Sequence, residues 1–299
     1  MSICLFRKPI NMQNCPYCSK HGDYYFKIGS RVYYRCLQCD LIFRDEIKSY
    51  DEVVSTLSDN YFSRYSADQM EGRRNKLFHH ILNSVENKTQ RGRLLDVGTG
   101  CGFFLLAAQK RGWNVDGIEP SAESVEVARK LSGVNVFHGT LQDYQGKDQF
   151  DAVTLVNVLE YSALPWKEIE QARQLLRTGG QIYIRFVNGF LHSRLYRLAK
   201  KFGLSNRITK FLVFHYYSFT PSFIKTLLAD KAFTEVTIHN SPLTEGDPNK
   251  LFSDLFVATY VKRFTYLMAQ CVVKISNRQL HLGTSLEVTA SKADYPQNL

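Results

Sequence analysis

The stretch from Arg93 to Ser121, RLLDVGTGCGFFLLAAQKRGWNVDGIEPS, constrains the fold of this chain more than any other. Leu94, Leu95 and Val97 form a short apolar run suited to a strand buried on both faces. Gly98, Gly100 and Gly102 follow at every second residue, a turn that lets backbone pass close to a ligand where a Cβ would clash. Phe103 to Arg111 reads as a helix packed on a sheet, ended by Gly112. Val115 to Ile118 reads as a second strand, with Glu119 at its carboxyl end. In an open parallel sheet, a carboxylate placed there can take both hydroxyls of a ribose.

The glycine spacing separates two kinds of cofactor. A dinucleotide fingerprint needs G-x-G-x-x-G, because its third glycine lets helix and strand pack closely. Here the third glycine comes one residue early, and Asp96 precedes the turn. This D-x-G-x-G-x-G pattern resembles the first motif of the class I S-adenosylmethionine-dependent methyltransferases. The resemblance implies an α/β fold, a Rossmann-like doubly wound sheet of seven strands, with S-adenosylmethionine at its strand ends. It implies a cofactor set of Asp96, Gly98, Gly100, Gly102, Glu119, Pro120, Thr140, Leu141 and Asn157, with Glu119 on the ribose.

Near the amino terminus, Cys15-Pro-Tyr-Cys18 and Cys36-Leu-Gln-Cys39 are two C-x2-C pairs separated by 17 residues, a zinc-ribbon spacing. Tyr24 to Tyr34 has hairpin character, with Gly29-Ser30 as the turn. So short a segment cannot bury a core alone, so a metal would supply its folding energy. Four thiolates leave no open coordination position, which makes the expected zinc structural. The continuation, CDLIFRD and then NYFSRY at 60–65, resembles a bacterial methyltransferase subgroup with C-x2-C…C-x2-C-G-L-x-F followed by Y-F-x-x-Y. Asp40 stands where that subgroup has glycine, and the resemblance assigns Tyr61 and Tyr65 to the lid of the cofactor and substrate pocket. The expected divisions are a zinc ribbon at 1–48, a linker and helix at 49–90, and the methyltransferase domain at 91–299 with a basic helical insertion near 190–214.

Further along, helical spacing runs from Gln69 to Val85, and Ser121 is placed to cap a helix over Ala122 to Leu131. Strands are expected at Val134 to Phe137, Phe150 to Asn157, Gln181 to Val187, Phe233 to Asn240 and Thr284 to Ser291. Pro165 opens one helix, which Gly179-Gly180 should cap; another spans Ser222 to Lys231. Leu251 to Val273 reads as a helix docked on the sheet or lying in an interface. The subgroup writes V-L-E-H, L-L-K-P-G-G and Pro-Asn where this chain has Val158-Leu-Glu-Tyr161, Leu175-Leu-Arg-Thr-Gly-Gly180 and Val187-Asn188.

Charge is unevenly spread. The net charge is +10, and from Gln171 to Ala229 there are ten basic residues and no acid. Such a block predicts an anionic partner. Within it, Leu191, Leu195, Leu198 and Phe202 mark one apolar helical face, flanked by Arg194, Arg197, Lys200 and Lys201. That face is expected to pack on the domain or enter a membrane interface, with Arg194 and Arg197 on the acceptor's phosphates or on anionic lipid. The chain shows neither a secretory leader nor a long uncharged apolar run, so a cytoplasmic protein, at most peripheral to a membrane, is expected.

Methyl transfer from a sulfonium is an in-line displacement, so the protein must position the acceptor and, for a hydroxyl or acidic carbon, remove a proton. Glu160, Tyr161 and His215 are the expected catalytic residues; Asn188 and Tyr216 should face the acceptor. A phenol titrates near 10 and an imidazole near 6.5, so His215 is the better base by reference values. The expected function is methylation, through oxygen, of a small or lipid-linked anionic acceptor such as a nucleotide-sugar. Alternatives are an RNA methyltransferase using the ribbon and basic surface, and a non-catalytic protein that keeps the cofactor fold.

Overall fold

The computed structural model describes residues 13–46, 52, 55, 72, 74–147, 149–243, 255–276 and 280–293. Four short strands come first: β1 (Gln13–Asn14), β2 (His21–Ile28), β3 (Arg31–Cys36) and β4 (Ile42–Arg44). β2 and β3 are the expected hairpin, turning at Gly29 with φ +57°. Helix α1 (Asn75–Glu86) follows and buries Leu77, Phe78, Ile81, Leu82 and Val85, a one-sided helical spacing.

An alternation of strand and helix then builds the main sheet. In order come β5 (Arg93–Val97), α2 (Phe103–Lys110), β6 (Asn114–Glu119), α3 (Ala122–Ser132), β7 (Val136–His138), β8 (Phe150–Val156), α4 (Pro165–Leu175) and β9 (Leu176–Val187). Next are α5 (Gly189–Lys201), α6 (Ser205–Ile208), β10 (Tyr217–Ser218), α7 (Pro221–Asp230), β11 (Phe233–Asn240), α8 (Leu255–Ile275) and β12 (Ser285–Lys292). The seven-stranded sheet runs β11-β12-β9-β8-β5-β6-β7. β7, β6, β5, β8 and β9 pair in parallel; β12 enters antiparallel between β9 and β11. The order reverses at β5 and β8, which makes their carboxyl ends a topological switch point.

Successive β5 residues serve opposite faces, as burial on both sides requires. Leu94 joins Tyr183 and the inner residues of α1, α2 and α3; Leu95 and Val97 join Ile182, Ile184, Phe186 and the apolar sides of α4 and α7. Ser121 caps its helix as expected, its Oγ accepting from Ser124 N, and the structure adds a second cap at Thr220, whose Oγ1 accepts from Phe223 N at 3.1 Å. The glycine pair at 179–180 does different work from the cap expected of it. α4 already ends at Leu175, Leu176 is extended, and the pair lies in β9 where the register with β8 shifts. Gly179, at φ +72°, supports a bulge.

The ribbon strands share a sheet with the rest of the chain. β10 pairs antiparallel with β4, Tyr217 opposite Phe43 and Ser218 opposite Ile42, giving the order β1-β2-β3-β4-β10. Cys15, Cys36, Cys39, Leu41 and Phe43 lie in the same buried cluster as Ile182, Ile184 and Phe223. Tyr17 packs at a tilt against Trp166 and edge-on against Phe223, and its hydroxyl donates to Asp230. The described ribbon residues, 13–46, are therefore joined to the main sheet by a continuous core.

Helix α5 turns a different side inward from the one its apolar stripe suggests. His192, Ser193, Tyr196 and Ala199 are buried, while Leu195, Leu198 and Phe202 are exposed and Leu191 is half-buried. Tyr196 decides the orientation: its hydroxyl donates to Lys27 O at 2.6 Å, and its ring packs on Phe26 and Phe214. A buried tyrosine needs both contacts, and only this rotation of the helix supplies them.

One glycine tests the packing directly. Gly102 has φ +82°, and a Cβ there would lie 2.9 Å from the Cα of Ala128 in α3. Gly102→Ala should lower stability by about 1–3 kcal/mol through strain and overpacking, read by urea denaturation. An unchanged midpoint would contradict this close approach of turn and helix.

Candidate functional site

The site is assembled at the carboxyl ends of β5, β6, β8 and β9. After β5 the chain turns through Gly98, Gly100 and Gly102, all with positive φ. Gly98 is needed for fit as well as for φ, since a Cβ would meet Val158 Cγ2 at 2.7 Å. The turn is clasped to β6 by Glu119. One carboxylate oxygen accepts from Gly100 N at 2.8 Å, and the other accepts from Ser121 N at 2.9 Å. Each oxygen keeps a further lone pair, so the carboxylate is held in place and still able to accept. Asp96 lies beneath the turn, accepting from Thr154 Oγ1 at 2.6 Å.

Burial raises both acids to about 7, and Asp96 adds to the effect on Glu119 by charge repulsion. Two carboxyls this close and this buried are held ready for a ligand that brings hydroxyls or positive charge. Pro120 follows Glu119, and its carbonyl accepts from His138 Nε2 at 3.2 Å. Thr140 and Leu141 stand past β7, at the sheet edge. Asp143 Oδ2 accepts from Thr140 N and Oγ1 at 2.9 and 2.7 Å, and Leu141 is buried. Asn157 ends β8 in a left-handed conformation, φ +59°, and accepts from Arg185 Nη1. The nine residues expected to hold the cofactor thus line the ends of β5 to β8 and the turns that follow. Thr140 and Leu141 mark the outer end.

The residues expected to face the acceptor lie near the ends of β8 and β9 and around β10. Glu160 is buried, with one oxygen accepting from Val187 N at 2.6 Å and the other without a hydrogen-bond partner among the described residues. Burial raises it to about 7. The rings of Tyr161 and His215 meet edge-on with centroids 4.7 Å apart. Burial, with help from His192, lowers His215 to about 4. This reverses the ranking drawn from reference values: His215 is neutral and a weak base, and Glu160 is the group tuned near neutrality. Tyr216 lies under the Arg44 guanidinium, 5.1 Å from its ring centre, and its carbonyl accepts from Arg44 N.

Asn188 is fully buried and committed to the fold. Its amide donates to His281 O and Gly283 O, each at 2.9 Å, and its oxygen accepts from Leu191 N as the cap of α5. Both donors are used, so its expected acceptor contact is not available from this arrangement. Arg194 and Arg197 are exposed on α5, and Arg197 lies over the Tyr25 ring of the hairpin. Tyr61 and Tyr65 fall outside the described residues.

Arg185 is the residue that the sequence did not single out. It is buried on β9 and donates to Asn157 Oδ1 and Ser241 Oγ. Burial lowers its pKa. Its signal was present: one arginine inside the otherwise apolar strand QIYIRFV. A guanidinium held there by neutral oxygens ties β8, β9 and the end of β11 together at the mouth of the site.

Sheet order, glycine turn and the acid after the second strand together define the Rossmann-like methyltransferase fold. A family model described as a methyltransferase domain matches residues 69–238, more than half of the chain, and the chain belongs to that family. A ubiquinone biosynthesis O-methyltransferase of Saccharophagus degradans is 33% identical over 115 residues, 36% of this chain and 49% of that protein. An uncharacterised protein of Methanocaldococcus jannaschii is 28% identical over 133 residues, 43% of this chain and 62% of that protein. The chain spans about half the length of the curated relatives it matches. The solved 1,6-didemethyltoxoflavin-N1-methyltransferase of Burkholderia thailandensis, with bound 1,6-didemethyltoxoflavin and S-adenosylhomocysteine, shares the fold. The TM-score is 0.54 at 15% identity, over 91% of this chain and 99% of that one.

The Glu119 geometry sets a pH dependence. Accepting two hydroxyls requires the charged carboxylate, which is neutral below about 7 in the free protein. S-adenosylhomocysteine should therefore bind more tightly as pH rises through 7, with proton release. In Glu119→Gln the affinity should be flat with pH and weaker by about 1.5–3 kcal/mol. Calorimetry across this range checks both; equal affinity in the two proteins would contradict the role given to Glu119.

Proposed function

We propose that the protein transfers the methyl group of S-adenosylmethionine to an oxygen of a small or lipid-linked anionic acceptor, such as a nucleotide-linked sugar or another cell-surface building block. The observation that carries this reading is Glu160, which follows β8 with one oxygen accepting from Val187 N and the other without a hydrogen-bond partner among the described residues, and which burial raises to about 7. A base tuned near neutrality is what deprotonation of a hydroxyl needs. The bound cofactor supplies an activated methyl on sulfur. The chain's own residues hold its ribose (Glu119), its approach to the turn (Gly98 to Gly102) and the acceptor beside Glu160. Support for an anionic acceptor comes from the acid-free block at 171–229, which includes Arg185, Arg194 and Arg197. The name of the Saccharophagus relative is in keeping with transfer to oxygen.

The test is labelled S-adenosylmethionine offered with nucleotide-sugars, lipid extract and total RNA in parallel. Label should enter the nucleotide-sugar or lipid fraction; label in RNA alone would replace this reading with RNA methylation. With an acceptor in hand, Glu160→Gln should lower kcat by roughly 10²–10⁴-fold at unchanged cofactor affinity. His215→Ala should cost less, and a larger loss from His215 would assign the base to it instead.

Cys15, Cys18, Cys36 and Cys39 are assigned one structural zinc. Their sulfurs all lie within 4.8 Å of one another, with contacts of 3.5, 3.6 and 3.7 Å. Four sulfurs around a tetrahedral zinc at ~2.3 Å would stand about 3.8 Å apart, so the set fits. Asp40, where a glycine was expected, adopts the left-handed conformation that a glycine would, at φ +66°, and is held by Arg35 Nε at 2.5 Å. Metal analysis should find one zinc per chain. Because three of the cysteines lie in the shared core, Cys36→Ser should lower the melting temperature of the whole protein. An unchanged single transition would contradict this.

A further inference from the structure

We propose that the outer faces of α5 and α8 form a docking surface for an anionic lipid bilayer, so that the protein works at a membrane surface. The proposal goes beyond the acceptor assignment and stands whether or not the acceptor is itself a lipid.

The first observation is an apolar stripe that the fold leaves outside. On α5, Leu198 and Phe202 are 56% and 66% exposed, and Leu195 lies beside them. The chain beyond α5 continues the pattern, with Leu204, Phe211 and Val213 exposed. The inward side of the helix is already fixed by Tyr196 on the hairpin and by His192, whose Nδ1 accepts from Val213 N. A rotation that hid the stripe would break both contacts.

The second observation is independent. On α8, Phe264 and Leu267 are 65% and 61% exposed, with Met268 and Ile275 exposed along the same side, and the inward contact is Ala269. These positions recur at helical spacing, as one outward face. Two exposed apolar helix faces on one small protein are unusual for a chain that stays in water.

Charge says what covers them. The stripe on α5 is bordered by Arg194, Arg197, Lys200 and Lys201, all exposed, and the following turns add Arg207 and Lys210. Arg194 and Lys210 lie over the Phe190 and Phe211 rings. On α8, Arg263 and Lys274 are exposed beside the apolar residues. The sequence has no acid from Gln171 to Ala229, and again none from Leu255 to Leu286. An apolar face rimmed by cations alone is the arrangement that lies in the interface of an anionic bilayer. A second copy of the chain, itself at +10, would bring like charge to the same rim. Among the described residues no helix is long and apolar enough to cross a membrane, so the protein lies on the surface.

Both helices belong to the catalytic end of the sheet. α5 leaves β9 through Asn188, whose amide holds the segment leading from α8 into β12 at His281 and Gly283. Asn240, at the end of β11, donates to Ala269 O of α8. Docking through them would bring the mouth of the site close to the lipid headgroups.

Vesicle flotation tests the proposal. The protein should float with phosphatidylcholine vesicles containing phosphatidylglycerol, stay behind with phosphatidylcholine alone, and be released from the charged vesicles at high salt. The exposed-residue variants Leu198→Glu/Phe202→Glu and Phe264→Glu/Leu267→Glu should each reduce flotation at least tenfold, while binding S-adenosylhomocysteine and melting as the parent does. No flotation of the parent, or flotation unchanged in both double variants, would overturn it. So would a parent dimer that the variants dissociate, or salt-sensitive RNA binding, when the parent does not float.

Discussion

The short pairing of β4 with β10 is the contact on which the placement of His215 and Tyr216 depends. A hairpin with four thiolates is too small to bury a core of its own. Placed against Tyr217 and Ser218, it gains a sheet partner, covers an open strand edge, and inserts Tyr17 between α4 and α7. The same contact fixes the chain on either side of β10. His215 and Tyr216 come just before it; Thr220, just after it, donates to Asp40 O and caps α7. Helix α5 is clamped from the ribbon side through Tyr196. The ribbon thus shapes the wall around Tyr161 and His215, and Glu119 holds the glycine turn that forms the other wall.

Between these walls the electrostatics are concentrated. Asp96, Glu119 and Glu160 are all raised to about 7 by burial, and Arg185 is lowered by it. Such groups cost stability in the free protein, because each is held away from water without a full set of charged partners. They cluster at the ends of β5, β6, β8 and β9 rather than being spread through the core. That distribution is what a site for a polar ligand requires, and it places the reacting atoms at the switch point of the sheet.

Much of this was legible in the residues. The seven strands were readable because buried strands leave short apolar runs between turn residues, and because Ser121 and Pro165 mark helix starts. The glycine turn and Glu119 were readable because few residues tolerate those conformations. What was not legible depended on contacts distant in sequence. Nothing local to Tyr217 announces that it pairs with Phe43. Of the two placements open to the apolar stripe of α5, packing on the domain is not the one found, because the hydroxyl of Tyr196 and its partner Lys27 O turn the other side of the helix inward. Reference pKa values favoured His215, but burial moves an imidazole down and a carboxyl up, so tertiary structure reverses their order as bases. Asn188 looked like an acceptor ligand; only the fold shows its amide held by two carbonyls of a loop over ninety residues away.

The carboxyl ends of β5 and β6, clasped together by Glu119, are assigned the cofactor, and the ribbon hairpin is not. Hydrogen exchange with and without saturating S-adenosylhomocysteine tests it most directly. Exchange should slow at the amides of 98–102, 119, 121 and 139–141, with those of the hairpin at 21–36 unchanged. Protection confined to the hairpin, or no change in the glycine turn at saturation, would contradict it.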